Sequence, residues 1–156
     1  RYLRWEEFRA KLELMCRALE QEYRPNFLTR VGLRYRDLIF RSDLGLKNVP
    51  WSELLQAHVA PEFSTPIASA IQELGHQLFA SFPEEKIKLG LRHGTARLEN
   101  RDEIGYLIDS DLYSDEKTEV SHALDRLDLF NRIARRLFRW CITEQLHDAM
   151  EPEPVA

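Results

Sequence analysis

The chain has 156 residues, 44% of them hydrophobic and 31% charged, and carries a formal net charge of −4 at pH 7. That length suits one folding unit with a core that needs no cross-links, and the acidic excess argues against a general nucleic-acid binder, which normally carries surplus positive charge. No apolar run approaches the ~20 residues of a membrane span and no signal-peptide core opens the chain, so a cytoplasmic setting is expected.

Residues 4–23 read as a helix. Trp5, Phe8, Leu12, Met15, Leu19 and Tyr23 recur at spacings of three and four and share one stripe. Glu7–Lys11 and Glu13–Arg17 are i, i+4 pairs on the wet side, and Pro25 stops the helix. Over 27–40 the period changes to two: Phe27, Thr29, Val31, Leu33, Tyr35 and Ile39 share one face of a strand, and Arg30, Gly32, Arg34 and Arg36 the other. A polar turn at 41–45 leads to a short helix expected at 50–57, then a loop held by Pro61 and Pro66. Segment 67–82 mixes two periods. Ile67, Ala70, Ile71 and Leu74 fit a helix, while His76, Leu78, Ala80 and Phe82 alternate, so a strand is expected from about 74.

Residues 86–98 and 104–113 read as two further strands, joined as a hairpin through Asn100-Arg101-Asp102, with Ile87, Leu89, Leu91 and His93 inward on the first. A single helix is expected over 116–149. Val120, Ala123, Leu124, Leu127, Phe130, Ala134, Leu137, Phe138, Cys141 and Ile142 fill one broad arc of it, a width that suits a helix lying across a sheet. The expected fold is therefore α+β: an antiparallel sheet of about four strands with a long N-terminal and a long C-terminal helix packed on it. One domain spans 1–150, and 151–156 (Glu-Pro-Glu-Pro-Val-Ala) read as a disordered tail. Cys16 and Cys141 sit inside helical patterns, not in a metal or redox spacing, and read as free packing thiols of a reducing compartment.

Three stretches, in order, carry a resemblance: Arg30-Val31-Gly32-Leu33-Arg34-Tyr35, Val49-Pro50-Trp51-Ser52-Glu53-Leu54-Leu55, and Phe138-Arg139-Trp140-Cys141-Ile142-Thr143 followed by Leu146-His147 and Met150-Glu151-Pro152. Together they resemble a sporadically distributed family of uncharacterised prokaryotic proteins. Leu107-Ile108-Asp109-Ser110-Asp111-Leu112-Tyr113 is similar to that family's hydrophobic-Asp-x-Asp segment before its last helix. The resemblance implies a fold and a prokaryotic origin but no reaction. It also implies that this chain, which opens on Arg1-Tyr2-Leu3 without Met, corresponds to the C-terminal portion of a longer protein with a strand-rich segment ahead of the first helix. Asn131 departs from the pattern, standing where many members carry His.

Five polar or apolar features invite a functional reading. Arg30, Arg34 and Arg36 repel one another on one strand face unless neutralised, either by a bound phosphate or carboxylate or by Asp109 and Asp111 across the ladder. Gly32 leaves a gap in that row for close approach of a ligand or a backbone. Asp109 and Asp111 share a strand face and could hold a divalent cation with His93 or Glu103, although Tyr113 stands where a calcium loop needs a ligand. His58, His76, His93, His122 and His147 show no zinc-ligand spacing. Asn131 lies inside the apolar arc of the last helix, as a polar peg to the sheet or as a pocket-lining group. Leu129, Ile133 and Trp140 form a second apolar edge beside Arg132, Arg136 and Arg139, which needs cover from another copy, a partner protein, the N-terminal region expected of a longer protein or the 51–74 segment.

No G-x-S-x-G elbow, P-loop or G-x-G-x-x-G is present, so no catalytic residue and no cofactor is expected. The leading expectation is a non-enzymatic interaction or regulatory module, forming a homo-oligomer or binding a partner protein through the C-terminal helix. The alternatives are a small anionic ligand or nucleotide binder on the Arg30/Arg34/Arg36 face or near Asn131, and a metal-dependent hydrolase or nuclease at Asp109 and Asp111.

Overall fold

The expected first helix forms over Trp5–Tyr23 (α1), in a computed structural model that describes residues 4–150. The tail expected at 151–156 lies outside the described residues. Four strands follow: β1 (Val31–Ile39), β2 (Gly75–Phe82), β3 (Ile87–Ala96) and β4 (Gly105–Ser114). They form one antiparallel sheet in the order β1-β4-β3-β2. With the helices at either end of the chain, this is the expected α+β architecture. Among the described residues, no helix is long and apolar enough to cross a membrane.

Three expected elements differ in their bounds, each for a local reason. The first strand begins at Val31, not 27. Leu28 does pair with Thr118, through hydrogen bonds of 2.7 and 3.0 Å. That bridge is one residue out of phase with the Val31–Ser114 pairing, so an extra residue on the β4 side breaks the ladder. The chain also bends at Thr29, and Phe27 and Thr29 leave the core face; Phe27 is exposed, with Lys117 Nζ 4.3 Å from its ring centre.

The helix expected at 50–57 is a single turn, α2 (Trp51–Leu54), because Leu55 turns extended and bridges Ile142. The same bridge divides the last helix. α3 runs Val120–Cys141, Ile142 is extended (φ −113°, ψ 156°), and α4 covers Glu144–Ala149. The backbone groups freed by the break are satisfied across the bridge. Gln56 N donates to Cys141 O at 3.0 Å and Thr143 N to Leu54 O at 2.9 Å. Thr143 then caps α4, its Oγ1 accepting from Leu146 N.

The core lies between the inner sheet face and α3. Leu33, Leu91, Ile108 and Leu112 meet Leu127, Phe130 and Ala134 there, and Trp51, Leu54, Ile142 and Leu146 close one end. α1 buries none of its residues and lies against α3. It is tied there by Asp128, which accepts from Trp5 Nε1 at 2.8 Å and from Arg9 Nε at 2.9 and 3.1 Å. Both cysteines are free, Cys16 half-buried and Cys141 buried.

Candidate ligand-binding face

Strand parity sends one set of side chains to α3 and the other outward, and the register stacks the outward set into three cross-strand rows. Arg36, Asp109, Arg92 and Gln77 form the first; Arg34, Asp111, Gly90 and Phe79 the second; Gly32, Tyr113, Lys88 and Ser81 the third. The arginine row and the paired aspartates therefore do meet on one face.

The strongest pairing is diagonal. Arg34 donates through Nε and Nη2 to the two oxygens of Asp109, at 2.7 and 2.5 Å, the bidentate fork that a guanidinium offers a carboxylate. Arg36 Nε stands 3.8 Å from the same carboxylate. Asp109 lies buried beneath these cations, and the Arg34 hydrogen bonds hold its pKa below the usual carboxylate value. Arg30 lays its guanidinium over the Tyr113 ring, 3.8 Å from the centroid, with Asp111 at 3.5 Å and Asp115 at 3.6 Å. Lys88 Nζ pairs with Asp115 at 2.9 Å, and its pKa is raised by that bond. Arg92 makes no hydrogen bond or ion pair among the described residues. The face thus sets five cations against the carboxylates of Asp109, Asp111 and Asp115.

A hollow of about 160 Å³ opens between these rows, lined by Arg30, Arg34, Phe79, Gly90, Arg92, Asp109, Asp111 and Tyr113. Gly90 lines it without a side chain, and a Cβ there would touch the Phe79 ring, 3.4 Å away. Phe79 nevertheless remains 69% exposed.

The metal reading of Asp109 and Asp111 does not gain the partners expected for it. His93 points to the opposite face, and Glu103 bonds Ser42 at the end of the sheet. Among the described residues, no group of three or more His, Cys, Asp or Glu is placed to hold a metal ion.

The inner face holds polar groups as well. His76 and His93 are direct cross-strand partners and stack at 5.1 Å. His93 Nδ1 hydrogen-bonds the Tyr106 hydroxyl at 2.7 Å, and His76 Nε2 meets Glu62 at 3.2 Å. Burial, and then the neighbouring His76, push His93 down to about 4; burial raises the Tyr106 hydroxyl. Asn131 is buried and its Oδ1 accepts from Tyr35 Oη at 2.9 Å, pegging α3 to β1. Asp37, also on the inner side of β1, is pushed up to about 6 by burial. The Cys141 thiol is pushed up to about 12, by burial first and then by Asp37. Sequence reasoning passed over the histidine pair and Asp37. Parity alone marks Asp37, whereas the histidine pair needs the β2–β3 register.

On the far edge of α3, Leu129 and Ile133 are half-buried against the core and Trp140 is 49% exposed. His58, from the 51–74 segment, lies tilted against the Trp140 ring with centroids 4.3 Å apart and approaches its carbonyl at 3.2 Å. That segment therefore supplies part of the cover within the chain.

In comparisons with known proteins, no family model, curated protein or solved structure matches this chain.

Proposed function

We propose that the protein is a non-enzymatic binding module whose outer sheet face takes an anionic ligand carrying a planar ring, and that nucleotides are the class meeting both demands. The observation that carries this reading is the hollow itself, where Arg92, which makes no hydrogen bond or ion pair among the described residues, and an exposed Phe79 stand together beside the Arg30, Arg34 and Arg36 row. A guanidinium fork matches phosphate oxygens, and stacking of a base on an aromatic ring contributes ~1–3 kcal/mol. Phe79 supplies such a ring. The carboxylates of the face are already ion-paired to Arg30, Arg34 and Lys88, which suits binding better than acid–base chemistry.

Thermal unfolding with ATP, AMP, adenosine and inorganic phosphate tests the reading, since a ligand that binds only the folded state raises Tm. A nucleotide should raise Tm more than adenosine or phosphate does alone. Arg92→Ala and Phe79→Ala, both at outward positions, should each shrink that rise. No response to any of the four compounds, or an undiminished rise in the double variant, would sink the proposal.

A further inference from the structure

The sheet has two edges, and they are built differently. β1 carries Arg34, Arg36 and Asp37 along its length, charges of the kind that blunt an edge against pairing. β2 (Gly75-His76-Gln77-Leu78-Phe79-Ala80-Ser81-Phe82) contains no Lys, Arg, Asp, Glu or Pro, has no bulge, and buries none of its eight residues. Leu78, Phe79 and Phe82 are 46%, 69% and 44% exposed.

The hydrogen-bonding phase of this strand follows from Thr95 N donating to Leu74 O at 2.9 Å. Antiparallel bonding alternates, so the even-numbered residues of β2 direct their backbone groups at β3. Gly75, Gln77, Phe79 and Ser81 direct theirs away from the sheet. The result is an unprotected, uncharged ladder edge with apolar side chains above and below it.

We propose that β2 pairs antiparallel with the β2 of a second copy of this chain, about a two-fold axis at Leu78, joining the two sheets into one. The chain's own β2 is the occupant that fits, because an uncharged row needs an uncharged partner and the backbone phase matches itself only in certain registers. With the axis at Leu78, Gln77 meets the second copy's Phe79 and Gly75 meets its Ser81, so all four outward-facing residues are bonded. Leu78 faces its own counterpart and Leu74 faces Phe82, covering apolar surface left open in a single chain. Glu73 falls opposite Pro83, not another acid. Sliding the axis to Phe79 would set Gly75 against Pro83, which has no N–H to give. Such a two-fold places both Arg-lined hollows on the same continuous face, yet the pairing stands whether or not that face binds a nucleotide.

Sedimentation velocity over a concentration series tests it, and the expected species has twice the 18.4 kDa of one chain. Leu78→Lys sets two ammonium groups against each other at the axis and should yield a monomer with an unchanged far-UV spectrum. In a Cys16→Ser background, Leu78→Cys should form an interchain disulfide on mild oxidation, because directly opposed residues at a non-hydrogen-bonded antiparallel position lie ~4.5 Å apart at Cα. Ser81→Cys, remote from its own counterpart, should not. The cysteine pair remains decisive even if Leu78→Lys fails to fold. A monomer at every concentration, a dimer that survives Leu78→Lys, or equal cross-linking of the two cysteine variants would overturn the proposal.

Discussion

Asp37 and His93 sit on the same inner face with pKa values displaced by the same cause, burial, in opposite directions. Asp37 titrates near 6 in the folded protein against an ordinary 3.8, so the folded state holds that proton more tightly than the unfolded chain does. Stability therefore falls as pH rises from about 4 to about 6 on its account. His93 titrates near 4 against an ordinary 6.5, so on its account stability falls as pH drops through the same range. In the native protein the two slopes offset each other. Asp37→Asn removes one of them. Urea unfolding should show the variant equal to the parent below pH 4 and more stable by about 1–2 kcal/mol above pH 6, a discounted reading of the shift because Asp37 is only partly buried. A constant difference at every pH would contradict it. The outward arginines were legible in the sequence because parity is a local property, and the same parity puts Asp37 inward. The choice of Arg34 for Asp109, across the diagonal and not straight across, depends on side-chain reach and could not be read from spacing.

Among the elements, the break at Ile142 shows where periodicity misleads. Cys141 and Ile142 extend the apolar arc of α3 without interruption, so the pattern reads on as helix, yet Ile142 spends its backbone on Leu55 and Gln56. A long-range pairing of two short β-branched or aliphatic stretches leaves no periodic trace. The local trace that does exist is Thr143, a residue type favoured at helix N-caps. Its hydroxyl also donates toward Glu53 O at 2.8 Å and Leu54 O at 3.2 Å, so a single side chain ties α2 to α4. Thr143→Ala should cost about 1–2 kcal/mol, seen as a lower urea midpoint at an unchanged m-value. Thr143→Ser should recover most of the loss; equal loss in both variants would locate the effect in the methyl group and not the hydroxyl. For α1, the apolar stripe was readable but its partner was not. Trp5 and Leu12 pack toward the core while Met15 and Tyr23, on the same stripe, remain 66% and 80% exposed.

At the scale of the molecule, the α+β class was legible because long stretches of period 3.6 at either end of the chain, 4–23 and 116–149, flank segments of period two at 27–40, 86–98 and 104–113. The strand order was not, since alternation gives a strand its faces but not its neighbours. That order has a kinetic side. β2, β3 and β4 follow one another through two hairpins, so their contacts close short loops, whereas β1 pairs with β4, far along the chain. Closing that long loop is entropically slow and is rewarded only once β4 already stands in the meander. The expected barrier is therefore crossed with the three-stranded meander formed and β1 still searching. Leu91→Ala, in the middle of the meander, should slow refolding, while Leu33→Ala on β1 should leave refolding nearly unchanged and speed unfolding, as read from the two arms of a chevron plot. A larger refolding defect for Leu33→Ala would reverse the order of assembly. Until β1 docks, the meander presents two unpaired flanks at once, the neutral one at β2 and the side of β4 that β1 will fill, and this interval is the one in which the chain is most open to association with other incomplete chains.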